Sequence, residues 1–210
     1  MLLSAVIQPW VLDEEPSLEI LKAAWDLGIN TIGTTNIYSN GASERVVANL
    51  MQKVYLRSSI PVPISHHTSQ YHIPRHQVII ATKCFGIVAD DMAVHTIVIP
   101  GIQEQQRYVN QGGLSRAAIF NAVAALLVRL ETPYIDLLQI HRYDPAVPAE
   151  ETMQALHDLV QSGKVRYIGA SSMRSWQLAH LIAVASKHGW TTFVSMQNEY
   201  SLLYREEVGP

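Results

Sequence analysis

Two spacings of apolar residues alternate along this chain. Near-continuous apolar runs at residues 29–35, 77–83, 134–141, 165–172 and 192–200 are too short for helices of their own, and they suit parallel strands buried on both faces. Between them lie helical patterns. Residues 16–27 place Leu18, Leu21, Ala24 and Trp25 on one face, follow the acids Glu14 and Glu15, and stop at Gly28. Further helical patterns cover residues 43 to about 53, with Ser43 as the cap, and then 115–130, 148–162 and 175–188. Strand and helix in strict alternation predict βαβ units, whose right-handed crossovers set successive strands side by side in one parallel sheet. In such sheets the working residues stand at the carboxyl ends of the strands. Residues 1–12 are apolar and poorly patterned, which leaves a sixth strand open there.

Two stretches break the rhythm. Residues 85–113 follow a strand without a clear period, and long loops in that position are more often functional or mobile than idle. Residues 54–70 have neither helical nor alternating spacing and carry Pro61 and Pro63. This irregular insertion reads as a translated intron. Val codons begin with GT, Gln can be encoded by CAG, and the block is 17 codons long, so its retention preserves the frame. Its removal joins Lys53 to Tyr71 and passes directly from the second helix to the next strand. A functional lid is the rival explanation.

Composition narrows the class. With 210 residues, 48% of them hydrophobic and 16% charged, the chain has material for a real core in a single domain spanning residues 1–210. A formal charge of -3 without a run of Lys or Arg argues against nucleic-acid binding. Cys84 is the only cysteine, which excludes an intramolecular disulfide framework and fits a reducing compartment. No apolar run reaches about 18 residues, and residues 1–11 lack a basic start and a cleavage site, so a cytoplasmic protein without membrane attachment is expected. Metal binding is not expected. His66 and His67 have no acidic or thiol partner at ligand spacing, and Pro74 spoils the helical pairing of His72 with His76. Gly112 and Gly113 lack the Lys and Ser/Thr of a phosphate loop.

Polar groups do gather at the strand ends: Tyr38, Lys83, His141, and the set Ser171, Ser172 and Gln197. A Tyr, a Lys and a His at one rim of a parallel barrel suit acid–base work on a carbonyl. An adjacent ammonium favours a phenolate, which makes the phenol a better proton donor at neutral pH, and the imidazole is left to orient the substrate oxygen. Each residue also has a structural reading: Tyr38 as a turn residue, Lys83 as an exposed strand end, His141 as a satisfied core histidine.

Four segments carry a resemblance to a known family. They are Gly-Ile-Asn-Thr-Ile-Gly-Thr-Thr-Asn-Ile-Tyr-Ser-Asn-Gly (28–41) with Ser43-Glu44, Ile-Ile-Ala-Thr-Lys (79–83), Tyr-Ile-Asp-Leu-Leu-Gln-Ile-His-Arg (134–142) and Gly-Lys-Val-Arg-Tyr-Ile-Gly-Ala-Ser-Ser (163–172). In this order they resemble the aldo-keto reductases, most closely the fungal aryl-alcohol dehydrogenase and versiconal hemiacetal acetate reductase type. The resemblance implies an α/β fold of the (β/α)8 TIM-barrel kind that binds NADPH and reduces an aldehyde or ketone, in the setting of fungal secondary-metabolite biosynthesis. It implies Tyr38 as general acid, Lys83 as the cation beside it, His141 as the substrate-oxygen orienter, and Ser171, Ser172 and Gln197 as cofactor-binding residues that hold the nicotinamide carboxamide.

The resemblance also exposes three departures. Gly33 stands where the family has an Asp that pairs with the Lys. The barrel is expected to be incomplete, with about six strands and the last two βα units missing. The usual first strand is replaced by residues 1–7. An open barrel keeps unpaired strand edges, so self-association through them is expected. The alternative to an active reductase is a catalytically impaired remnant, acting as a binding or regulatory subunit or arising from a mis-spliced gene.

Overall fold

The computed structural model describes residues 11–51, 71, 73–91, 94, 96 and 99–204. Helix α1 (Glu14–Asp26) comes first, then strand β1 (Thr31–Gly33) and helix α2 (Ala42–Leu50). Strand β2 (Ile79–Cys84), helix α3 (Arg116–Arg129), β3 (Ile135–Ile140), α4 (Ala149–Gln161), β4 (Val165–Ser171), α5 (Ser175–His188) and β5 (Ser195–Gln197) follow. All five strands are parallel, and each pairs with the next in chain order. The parallel sheet is the one the repeated βα rhythm predicts, and it curls as one segment of the (β/α)8 barrel that the family resemblance implies. The expected insertion at 54–70 and the open sixth strand at the amino terminus lie outside the described residues.

Side chains along a strand alternate between faces, so register determines what each face carries. Ile80, Leu138, Ile140 and Ile168 are fully buried and pack in one cluster with Leu50, Ile119, Leu126, Met153 and Leu156 from the helices. The opposite, concave face is more open. Ile79 is 45% exposed there and Tyr167 57%. On that face Gly33 stands level with Ala81, and Lys83 level with Gln139.

Near the amino end of β3, Asp136 anchors the outer layer to the sheet. Its carboxylate accepts from Arg75 Nη2 at 2.6 Å, from the Ile80 amide at 3.0 Å and from Arg166 Nη1 at 3.2 Å. Arg75 is almost fully buried. It also donates to Thr132 and to the carbonyls of Val78 and Tyr134, and it lies over the Tyr134 ring.

Several boundaries differ from the sequence reading. β1 and β5 have three residues each, shorter than the seven and nine expected, because among the described residues each has a neighbour on one side only and its flanking apolar residues Ile29 and Val194 are exposed. Ser115 caps α3 by accepting from the Ala118 amide. Ser43 does not cap α2. Gly41 takes that position in a left-handed conformation, and the Ser43 hydroxyl bonds to Thr34 at 2.9 Å. The irregular 85–113 stretch has a small core of its own, built from Ile87, Ala89, Ile102 and Tyr108, with a 3-10 turn at Ile102–Glu104.

Candidate active site

Tyr38 opens the 3-10 turn Tyr38–Gly41, five residues beyond the end of β1 at Gly33. Ser39 and Asn40 both adopt left-handed backbone (φ 52 and 48), which costs an L-residue about 1–2 kcal/mol, and Gly41 follows at φ 86. A Cβ at Gly41 would also overlap the Arg129 side chain, so only glycine suits that position. What holds this turn is Asn40, which is buried. Its amide donates to the carbonyls of Asp91 and Val94, and its carbonyl oxygen accepts from the Ala89 amide. The 85–113 stretch is thereby clipped to the Tyr38 turn.

Lys83 is the penultimate residue of β2, with 5% of its surface exposed. Its Nζ donates to the Thr34 carbonyl at 3.3 Å and lies 6.0 Å from the centre of the Tyr38 ring. Among the described residues no carboxylate pairs with it, and burial pushes its pKa below the ordinary lysine value. The sequence reading that makes Lys83 an exposed strand end is therefore corrected.

His141 follows β3, and its amide bonds the Cys84 carbonyl at 3.0 Å. Its Nδ1 lies 3.4 Å from the Thr35 hydroxyl. Burial, then the charges of Lys83 and Arg142, lower its pKa to about 4, so the ring is neutral at pH 7. The unfolded chain protonates this ring at an ordinary value near 6.5, so between about 6.5 and about 4 the unfolded state binds more protons. Stability is therefore expected to fall as the pH drops through that window. Urea melts at pH 7 and pH 5 check this, because His141→Gln should flatten the pH dependence.

His141 and Arg142 line a cleft of about 510 Å³ whose remaining wall is largely apolar, with Ile37, Phe85, Ile87 and Ile102 contributing. Cys84, behind it, is buried with its thiol pushed up to about 12, so it is inert.

The second polar group sits at the ends of β4 and β5. Ser171 and Ser172 place their hydroxyls 3.3 Å apart, and the Ser172 amide donates to the Gln197 carbonyl and to Asn198 Oδ1. Nearby Ser195 Oγ is buried without a hydrogen-bond partner among the described residues. Hydroxyls, an exposed amide side chain at Gln197 and an unpartnered buried hydroxyl form a donor set that fits a carboxamide.

The site contains residues that the sequence reading missed. Thr35, Asn40 and the pair formed by Glu44 and Arg129 join segments far apart in the chain. Glu44 is fully buried, accepts from Thr82 at 2.7 Å and from Arg129 Nε at 2.6 Å, and so ties α2 to the strand that carries Lys83. Thr35, Asn40 and Glu44 had a signal in lying within the 28–41 and Ser43-Glu44 segments, and Asn40 another in the turn pair Asn40-Gly41, but no local pattern singles out Arg129.

A sequential parallel βα array with polar residues along the carboxyl rim of its strands is the architecture of a barrel protein whose site is built at that rim. The chain belongs to the aldo/keto reductase family, whose pattern it matches over residues 4–209. It is 52% identical over 204 residues to an aldo-keto reductase of Fusarium vanettenii, covering 95% of this chain and 50% of that protein. It is 50% identical to the aldo-keto reductase dtxS3 of Metarhizium robertsii, with the same coverage, 95% and 50%. Versiconal hemiacetal acetate reductase of Aspergillus parasiticus is 44% identical over 200 residues, 95% of this chain and 53% of that protein. The chain thus spans about half the length of the curated relatives it matches. Among the described residues no helix is long and apolar enough to cross a membrane.

Proposed function

We propose that this chain carries the catalytic half of an NADPH-dependent oxidoreductase that reduces an aldehyde or ketone, in the cytoplasm and in the service of secondary-metabolite biosynthesis. One observation carries the reading: at the strand ends the Lys83 ammonium lies 6.0 Å from the Tyr38 ring and acts electrostatically on His141, which borders a largely apolar cleft. NADPH, when bound, supplies a hydride. Tyr38 then donates the proton that the reduced oxygen needs, Lys83 supplies positive charge beside the phenol, and neutral His141 orients the substrate oxygen. Ser171, Ser172 and Gln197 hold the carboxamide. The apolar wall excludes water and favours an aromatic or other apolar carbonyl compound. Ile79 and Tyr167, exposed on the concave face, support self-association. Titration calorimetry with NADPH, followed by NADPH oxidation with a panel of aromatic aldehydes, tests the proposal. Absence of NADPH binding overturns it.

A catalytically impaired protein is the second reading, favoured by Gly33 and by the lack of a carboxylate at Lys83 among the described residues. Gly33→Asp separates the two. A Cβ at Gly33 meets nothing within 4 Å, the backbone there is unstrained, and the position shares the concave face with Lys83. An Asp at this position should keep Lys83 charged, and a barrier lowered by about 1.4 kcal/mol raises the rate about tenfold. An unchanged rate in a folded, NADPH-binding variant would show that the missing carboxylate does not limit turnover.

A further inference from the structure

The role of His141 depends on which ring nitrogen carries its proton. A neutral imidazole has one N–H donor and one bare acceptor nitrogen. A carbonyl oxygen in the cleft is held only by the donor. His141 Nε2 forms no hydrogen bond with the described residues, and Nδ1 has a single neighbour, the hydroxyl of Thr35. That hydroxyl is completely buried and has one proton. Three acceptors lie within its reach: Asn36 Oδ1 at 3.3 Å, the Lys83 carbonyl at 3.3 Å and His141 Nδ1 at 3.4 Å.

Two of the three have weaker claims on that proton. The Lys83 carbonyl already accepts from the Asn36 amide at 3.1 Å. The Asn36 side chain is oriented by its own donation to the Gly86 carbonyl at 2.7 Å, and its remaining atom is a weakly basic amide oxygen. An unprotonated imidazole nitrogen is the strongest base of the set. If Thr35 donated elsewhere, its oxygen would accept from an Nδ1–H, and Nε2 would turn a bare lone pair toward the cleft and repel a carbonyl oxygen.

We propose that Thr35 is a positioning residue that sets the tautomer of His141: its hydroxyl donates to Nδ1, which leaves the ring proton on Nε2 for the substrate oxygen. The consequence for catalysis rests on the reductase reading above, but the tautomer itself does not. Thr35 touches neither substrate nor cofactor in this arrangement. It acts through the imidazole.

The experiment is ring-nitrogen NMR on protein labelled at histidine, with His141 identified by the signals lost in His141→Gln. At pH 7 the wild-type ring should show a bare, hydrogen-bond-accepting Nδ1 and a protonated Nε2. Thr35→Val keeps the shape and removes the hydroxyl, so the Nδ1–H form should become clearly populated. Thr35→Ser should retain the wild-type signature. In the reductase assay Thr35→Val should lower kcat about tenfold while NADPH affinity is unchanged. An Nδ1–H ring in the wild type overturns the proposal, and so does a Thr35→Val ring with unaltered tautomers. If Thr35→Val does not fold, the wild-type and Thr35→Ser spectra decide by themselves. Expected tautomers in a protein that never turns over would support Thr35 and count against the reductase reading alone.

Discussion

Tyr38→Phe is expected to lower carbonyl reduction by about 10²–10⁴-fold, the range that a positioned general acid contributes. The ring remains, so its packing beside Lys83 and the strained Tyr38–Gly41 turn are preserved. Only the transferable proton is lost. NADPH affinity should be unchanged, because the residues proposed to hold the carboxamide, Ser171, Ser172 and Gln197, lie at the ends of other strands. Single-turnover NADPH oxidation, compared with calorimetric NADPH binding, checks both parts. Retention of most activity would remove Tyr38 from the mechanism. Loss of cofactor binding would indicate that the turn, not the proton, had been disturbed.

Asp136→Asn is expected to cost about 3 kcal/mol of stability, the lower end of the range for breaking a buried ion pair by removing one partner. Asparagine keeps the shape and an acceptor for the Ile80 amide. It leaves Arg75, 5% exposed, with no compensating charge. Arg166 contributes less, since its side chain is half in water. Urea denaturation reads the loss as a lower midpoint. Arg75→Met combined with Asp136→Asn should recover part of it, because the double variant no longer buries an unpaired charge. An Asp136→Asn midpoint equal to wild type would show that the carboxylate does not anchor β3.

The order of elements was legible in the residue pattern because helix and strand periods are local. Residues 134–141 read as a buried strand from their Ile and Leu content alone, and residues 175–188 as a helix with the bounds the structure has. That Lys83, Ser171 and Gln197 lie at the carboxyl ends of their strands, and that Tyr38 and His141 each follow one, was legible for the same reason: a run of apolar residues stops where the polar ones begin. Strand ends were less legible at β1 and β5, where pairing depends on a neighbour that local composition does not specify.

The sequence by itself determined a parallel βα array, the rim on which chemistry would be placed, and the absence of an acid at Gly33. Only the tertiary structure decided how those rim residues are held. Thr35 meets His141 across 106 positions and Arg129 meets Glu44 across 85, while Asn40 reaches carbonyls 51 and 54 residues away. Such contacts have no period and no fixed spacing. They arise where a curled sheet brings the ends of distant strands within hydrogen-bond reach, and burial there makes each unpaired polar group costly enough to select one partner.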